Sequence, residues 1–143
     1  MNIYLDTSTL AKKYVKEPGL SELIRLWKDS TALFTSAVTY AEMMASFHRK
    51  QRKVTLPEKT FRRMIASFRR DWQGLFRVEV SERLHDSIDR LVSEYTLRGF
   101  DAIHLSSAIL MHDRLRQDFV FARSDQQLLQ AARREGLATF PAA

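Results

Sequence analysis

The chain has 143 residues, 45% apolar and 28% charged, with only seven Gly and Pro together. That is one domain's worth of sequence, able to bury roughly two-thirds of its unfolded surface, and it excludes disorder and fibrous repeats. It has no cysteine, which removes disulfides, thiolate zinc sites, iron–sulfur clusters and thiol nucleophiles. The net charge of +6 is concentrated in residues 49–70, which carry nine Lys/Arg and the single acid Glu58, against 14 basic and 16 acidic residues elsewhere. Such a segment serves either a polyanionic partner or a solvated helix face.

In chain order, Asn2–Leu5 reads as a short buried strand and Thr7–Val15 as a helix. Glu17-Pro18-Gly19 breaks the chain, and Leu20, Leu23, Ile24 and Trp27 mark a second helix at 3–4 spacing. A strand over 32–35 precedes helices over 37–49 and 57–72, the second opening with Pro in its first turn. Residues 76–80 alternate like a strand, and a helix runs from Ser81 to Leu97, where Gly99 is the expected stop. A helix over 100–115, a strand at Phe119–Ala122, a helix over 124–135 closed by Gly136, and a last strand near 137–140 complete the pattern. Strands alternating with helices predict a three-layer α/β/α domain on a mostly parallel sheet, occupying residues 1–143 as one unit. Ligands in such folds bind beyond the carboxyl ends of the strands. The N-terminus lacks a basic n-region and meets Asp6, unlike a signal peptide. No apolar run approaches the ~20 residues of a bilayer span. A soluble, cytoplasmic protein is expected.

Four acids could share that carboxyl edge. Asp6 follows the first strand, Asp125 follows 119–122, Asp101 opens a helix, and Glu42 lies early in the helix after 32–35. Taken singly, Asp6, Asp101 and Asp125 are more simply helix-start acids, with Ser124 and Gln127 forming a capping box around Asp125. Glu42 resists this reading, because apolar residues surround it on nearly every side of its helix (Val38, Tyr40, Ala41, Met43, Met44, Ala45, Phe47). Converging carboxylates repel unless a cation compensates, and a hard divalent ion, Mg²⁺ or Mn²⁺, prefers such oxygen donors. With water as nucleophile, a site of that kind hydrolyses phosphodiesters.

The segments IYLDTSTLAKKYVKEPG, TSAVTYAEMMASFHR, LRGFDAIHLSSAI and FARSDQQLLQAA resemble, in order, the acidic blocks of PIN-domain ribonucleases, specifically the VapC-type toxins of toxin–antitoxin pairs. The resemblance runs from residue 3 to about 137, and LDTS and FDAIHLSSA are its most specific parts. It implies Asp6 and Asp101 as the principal metal ligands, with Glu42 and Asp125 completing a catalytic cluster. Thr7, Ser8 and Ser124 would be hydroxyl neighbours orienting ligands or water. It further implies a Mg²⁺- or Mn²⁺-dependent endoribonuclease with an RNA substrate, a cognate VapB-like antitoxin partner, and a second copy of the chain as a homodimer. Two other readings stay open: a nuclease of the same fold with another nucleic-acid substrate, and a non-catalytic RNA-binding module.

Several residues carry their own alternatives. His104, three residues after Asp101, is more simply a packed histidine than a ligand. Arg123 could hold substrate phosphate or pair with Asp125. His85-Asp86 and His112-Asp113 lack the further ligands of a metal phosphohydrolase, and the four glycines form no phosphate-binding loop. Arg62, Arg63, Arg69 and Arg70 lie on one side of their helix and become an expected RNA track beside an acidic site. Leu23, Trp27, Met43, Met44 and Phe47 offer a candidate docking surface for an antitoxin helix.

Overall fold

The computed structural model describes residues 1–123 and 125–141. The elements run β1 (Asn2–Leu5), α1 (Thr7–Val15), α2 (Leu20–Lys28), β2 (Ala32–Ser36), α3 (Thr39–Val54), α4 (Glu58–Trp72) and β3 (Phe76–Val78). A 3-10 turn (Glu82–Leu84), α5 (His85–Tyr95), α6 (Gly99–Leu115), β4 (Phe119–Ala122), α7 (Gln126–Arg134) and β5 (Ala138–Phe140) follow. The order predicted from periodicity is the order observed.

The five strands line up β3-β2-β1-β4-β5, and every ladder is parallel. Because the sheet is covered on both faces, its central strands are continuous apolar runs rather than alternating ones. The pleat still sorts them. Ile3 and Leu5 face a layer built from α1 to α4, meeting Leu10, Leu23, Met43, Phe47, Met64 and Phe68. Tyr4, Phe34 and Phe121 face the opposite layer, with Leu91 of α5, Leu105 of α6 and Leu128 of α7. The molecule is therefore a three-layer α/β/α sandwich.

Helix ends differ from the predicted ones for a physical reason. The helix predicted to stop at 49 continues to Val54, because Lys and Arg are good helix formers and the turn comes only at Thr55, with φ 50°. The helix after β3 stops at Tyr95, where Thr96 takes φ 54°, and Gly99 is the first residue of α6 rather than a terminator. Asp125 itself caps α7; Ser124 lies outside the described residues. Gly19, at φ +96°, makes the turn into α2, a conformation that side-chain-bearing residues rarely adopt.

One surface expectation needs correcting. Leu23, Met43 and Phe47 are at most 1% exposed and belong to the core, so they offer no docking surface. Trp27 and Met44 are only partly buried, and Lys13 Nζ lies 3.8 Å above the Trp27 ring. The four arginines of α4 are exposed and line two clefts. Arg62, Arg69 and Arg70 line a cleft of about 660 Å³ floored by Met44, Phe61 and Ile65. Arg63 lines another with Lys13, Lys16 and Lys50. Among the described residues, no helix is long and apolar enough to cross a membrane.

Candidate active site

β1 is the central strand, and the chain adds strands on one side of it before crossing to the other. The carboxyl ends of β1 and β4 therefore flank a topological switch point, the place where open α/β sheets bind ligands. Asp6 and Arg123 are the residues immediately beyond those two ends, and the Asp6 N–H donates to the Ala122 carbonyl at 3.4 Å. α1 and α7 begin just after the two strand ends, and Asp101 lies in the first turn of α6.

Asp6 is completely buried. Its Oδ1 accepts the Thr9 N–H at 3.0 Å and caps α1, and Ser8 Oγ donates to both carboxylate oxygens at 3.2 and 3.0 Å. Its Oδ2 accepts from Arg123 Nη1. Asp125 is built in the same way. Its Oδ1 caps α7 through the Gln127 and Leu128 N–H groups at 2.8 and 3.2 Å, while Oδ2 lies 3.9 Å from Arg123 Nη2. Asp101 Oδ1 lies 3.4 Å from the same nitrogen. Capping and clustering are thus not rival readings, because for Asp6 and Asp125 one oxygen holds the helix and the other faces the guanidinium.

Burial, and then the charge of Asp125, push the Asp101 carboxyl above its ordinary range against the opposing pull of His104 and Arg98. Burial also lowers Arg123, against the charge of Asp125.

Glu42 sits in a second arrangement. Thr7 Oγ1 donates to its Oε1 at 2.6 Å, and His104 Nε2 approaches the same oxygen at 2.8 Å. Burial raises this carboxyl, but the hydrogen bonds from His104 and Thr7 outweigh burial and hold it below its usual range. On the other side of the ring, the Tyr4 hydroxyl lies 2.8 Å from Nδ1. Burial lifts Tyr4 well above ordinary phenols, so it keeps its proton.

His104 is a packed histidine, 1% exposed, and it also positions Glu42. Sequence reasoning missed Tyr4 because nothing in an apolar strand links it to a histidine 100 residues away. Thr7 meets Glu42 and Ser8 meets Asp6, so both hydroxyl neighbours touch the acids.

Carboxylates and hydroxyls without thiolates make a donor set that suits Mg²⁺ or Mn²⁺. Among the described residues, no three acidic or histidine side chains stand arranged to hold an ion by themselves. The Arg123 guanidinium takes the central position, with its buried Nε–H lacking an acceptor among the described residues. The donors therefore fit a divalent ion in chemistry, and Arg123 supplies the compensating charge.

Comparison with known proteins bears on the family and the fold. The PIN domain model matches residues 3–133. The chain is 29% identical over 144 residues to ribonuclease VapC45 of Mycobacterium tuberculosis (strain CDC 1551 / Oshkosh), spanning 98% of this chain and 95% of that one. It stands in the same relation, 29% identity over the same shares, to ribonuclease VapC49 of Mycobacterium tuberculosis (strain H37Rv). Its fold is similar to that of FitAcB from Neisseria gonorrhoeae, with a TM-score of 0.66 and 19% identity over 96% and 95% of the two chains. It is also similar to VapBC2 from Rickettsia felis bound to a promoter DNA fragment, with a TM-score of 0.64 and 13% identity over 91% and 92%.

Proposed function

The chain belongs to the PIN domain family, and from that premise we propose that it is a metal-dependent endoribonuclease acting as the toxin of a toxin–antitoxin pair. The observation that carries this reading is the convergence of Asp6, Asp101 and Asp125 around one cation at the sheet's switch point. Its relatives named ribonuclease support RNA as the substrate. Asp6, Asp101 and Asp125 would hold Mg²⁺ or Mn²⁺, with Glu42 completing the catalytic cluster. A bound ion would supply Lewis-acid charge and an activated water.

The chain's own residues do the rest. Glu42, kept ionised by Thr7 and His104, is placed to accept a proton or orient water. Asp6 and Asp125 each stay fixed by the helix they cap. The N-terminal ends of α1, α6 and α7 add partial positive charge that favours a phosphate at this edge.

The partner is a VapB-like antitoxin, as the VapBC and FitAcB complexes suggest for this fold. A homodimer, one PIN domain over residues 1–143, and a cytoplasmic setting belong to the same reading. Arg123 amid the acids favours one rival, a non-catalytic RNA-binding module, and turnover separates the two.

The test is a panel of single-stranded RNA, structured RNA and DNA, incubated with wild type, Asp6→Asn and Asp101→Asn in Mg²⁺, Mn²⁺ or chelator. RNA cleavage that needs the ion and is lost in both variants is the expected result. Equal activity in all three proteins would remove the site assignment, and preferential DNA cleavage would replace the substrate.

A further inference from the structure

Arg123 leaves β4 directly into the acidic cluster, and three carboxylates face it. Nη1 is on Asp6 Oδ2, and Nη2 lies 3.4 Å from Asp101 Oδ1 and 3.9 Å from Asp125 Oδ2. The Arg123 side chain is 15% exposed and that of Asp6 is not exposed at all, so solvent screens their pair little. The bond to Asp6 uses the oxygen left free by the α1 cap. Meanwhile the Nε–H points at no acceptor among the described residues. A buried guanidinium normally has its donors met, so this one is held by its charge among the acids rather than by a complete set of hydrogen bonds.

We propose that Arg123 is the resident counter-cation of the cluster: it keeps the three acids together in the metal-free protein and competes with a divalent ion for Asp6 and Asp101. The inference rests on the metal reading above. Taking up an ion then means exchanging one cation for another, and Arg123 sets the affinity below what the carboxylates alone would give. The released guanidinium stays tethered beside the site as a donor of the kind that binds phosphate.

Calorimetric titration of Mn²⁺ into wild type, Arg123→Gln, Arg123→Lys and Asp101→Asn tests this without reference to cleavage. Arg123→Gln should bind Mn²⁺ about tenfold more tightly or better, the size expected when an ion no longer displaces a charge-assisted hydrogen bond. Arg123→Lys should fall between. Metal-free Arg123→Gln should melt below wild type, and saturating Mn²⁺ should narrow that gap. Equal or weaker Mn²⁺ binding by Arg123→Gln overturns the proposal.

If Arg123→Gln does not fold, the wild-type protein still decides. The arginine side-chain ¹⁵Nε resonance absent from Arg123→Lys should move as Mg²⁺ is added, and its failure to move at saturating Mg²⁺ overturns the proposal. The Asp101→Asn control distinguishes the two readings. Mn²⁺ uptake that Asp101→Asn abolishes but Arg123→Gln leaves unchanged removes the competition alone. Wild type with no uptake sensitive to Asp101 removes the metal reading together with it.

Discussion

At the scale of single residues, acids of one cluster have opposite stability roles. Repulsion among carboxylates would make any neutralising substitution harmless to the fold, but the Arg123 pair changes this for Asp6. Asp6→Asn keeps an acceptor for the α1 cap and loses the charge that holds a largely buried guanidinium. It should cost roughly 1–3 kcal/mol of stability, less than outright removal of a buried ionic partner. Asp101 differs because burial and Asp125 already disfavour its charged form. Asp101→Asn should leave the melting temperature unchanged or raise it at neutral pH. Thermal denaturation of both variants without metal checks the contrast, and a larger loss for Asp101→Asn would contradict the assigned geometry. Asp101→Asn is accordingly the cleaner probe of chemistry.

At the scale of elements, the packing of α5 against the end of α7 is tied by Glu135. Arg90 Nη2 donates to its Oε1 at 2.5 Å, and Tyr95 Oη donates to its Oε2 at 2.6 Å. The hydrogen bond from Arg90, then that from Tyr95, hold the Glu135 carboxyl below its usual range against burial. A carboxyl with a depressed native pKa stabilises the fold above its unfolded value and loses that contribution as pH falls through its native value. Glu135→Gln should therefore melt earlier than wild type at pH 7, with the difference shrinking toward zero in acid. Melting curves across that range check it, and a difference independent of pH would assign the loss to packing instead. The elements themselves were readable because buried parallel strands such as Asn2–Leu5 and Phe119–Ala122 are unbroken apolar runs. Helix ends were not. α1, α3, α5 and α6 all stop on non-glycine residues in the left-handed region, Lys16, Thr55, Thr96 and Arg116, which no composition cue marks. The four acids could be placed at one sheet edge from strand order, whereas the Glu42–His104–Tyr4 chain and the grip of Arg123 on Asp6 join residues too distant in sequence for spacing to show.

At the scale of the whole molecule, the excess positive charge sits on the two helices α3 and α4, in the layer opposite α5, α6 and α7. The carboxylates at the sheet edge would repel a polyanion, so an RNA substrate needs its binding energy from elsewhere on the surface. Arg62, Arg69 and Arg70 around one cleft and Arg63 with Lys13, Lys16 and Lys50 around the other are the available cations. Arg62 is partly engaged by Glu58 at 3.0 Å, but that pair is exposed and contributes little to stability. Because the two clefts lie on either side of α4, they can be tested separately. Removing one cation that neutralises a single-strand phosphate should flatten the log–log dependence of affinity on salt by about 0.7. If RNA crosses the first cleft, replacing Arg62, Arg69 and Arg70 by Gln should lower the slope by roughly three such steps, while Arg63→Gln changes it by none. Arg69 Nε also donates to the Tyr40 hydroxyl at 3.1 Å, so its variant needs a melting curve beside the binding isotherm. Binding measured by fluorescence anisotropy at several salt concentrations, with the site silenced by Asp101→Asn, reads the slopes directly. A slope that falls with Arg63 and the lysines instead would route the RNA through the second cleft, and unchanged slopes in both sets would make the basic layer a solvated face.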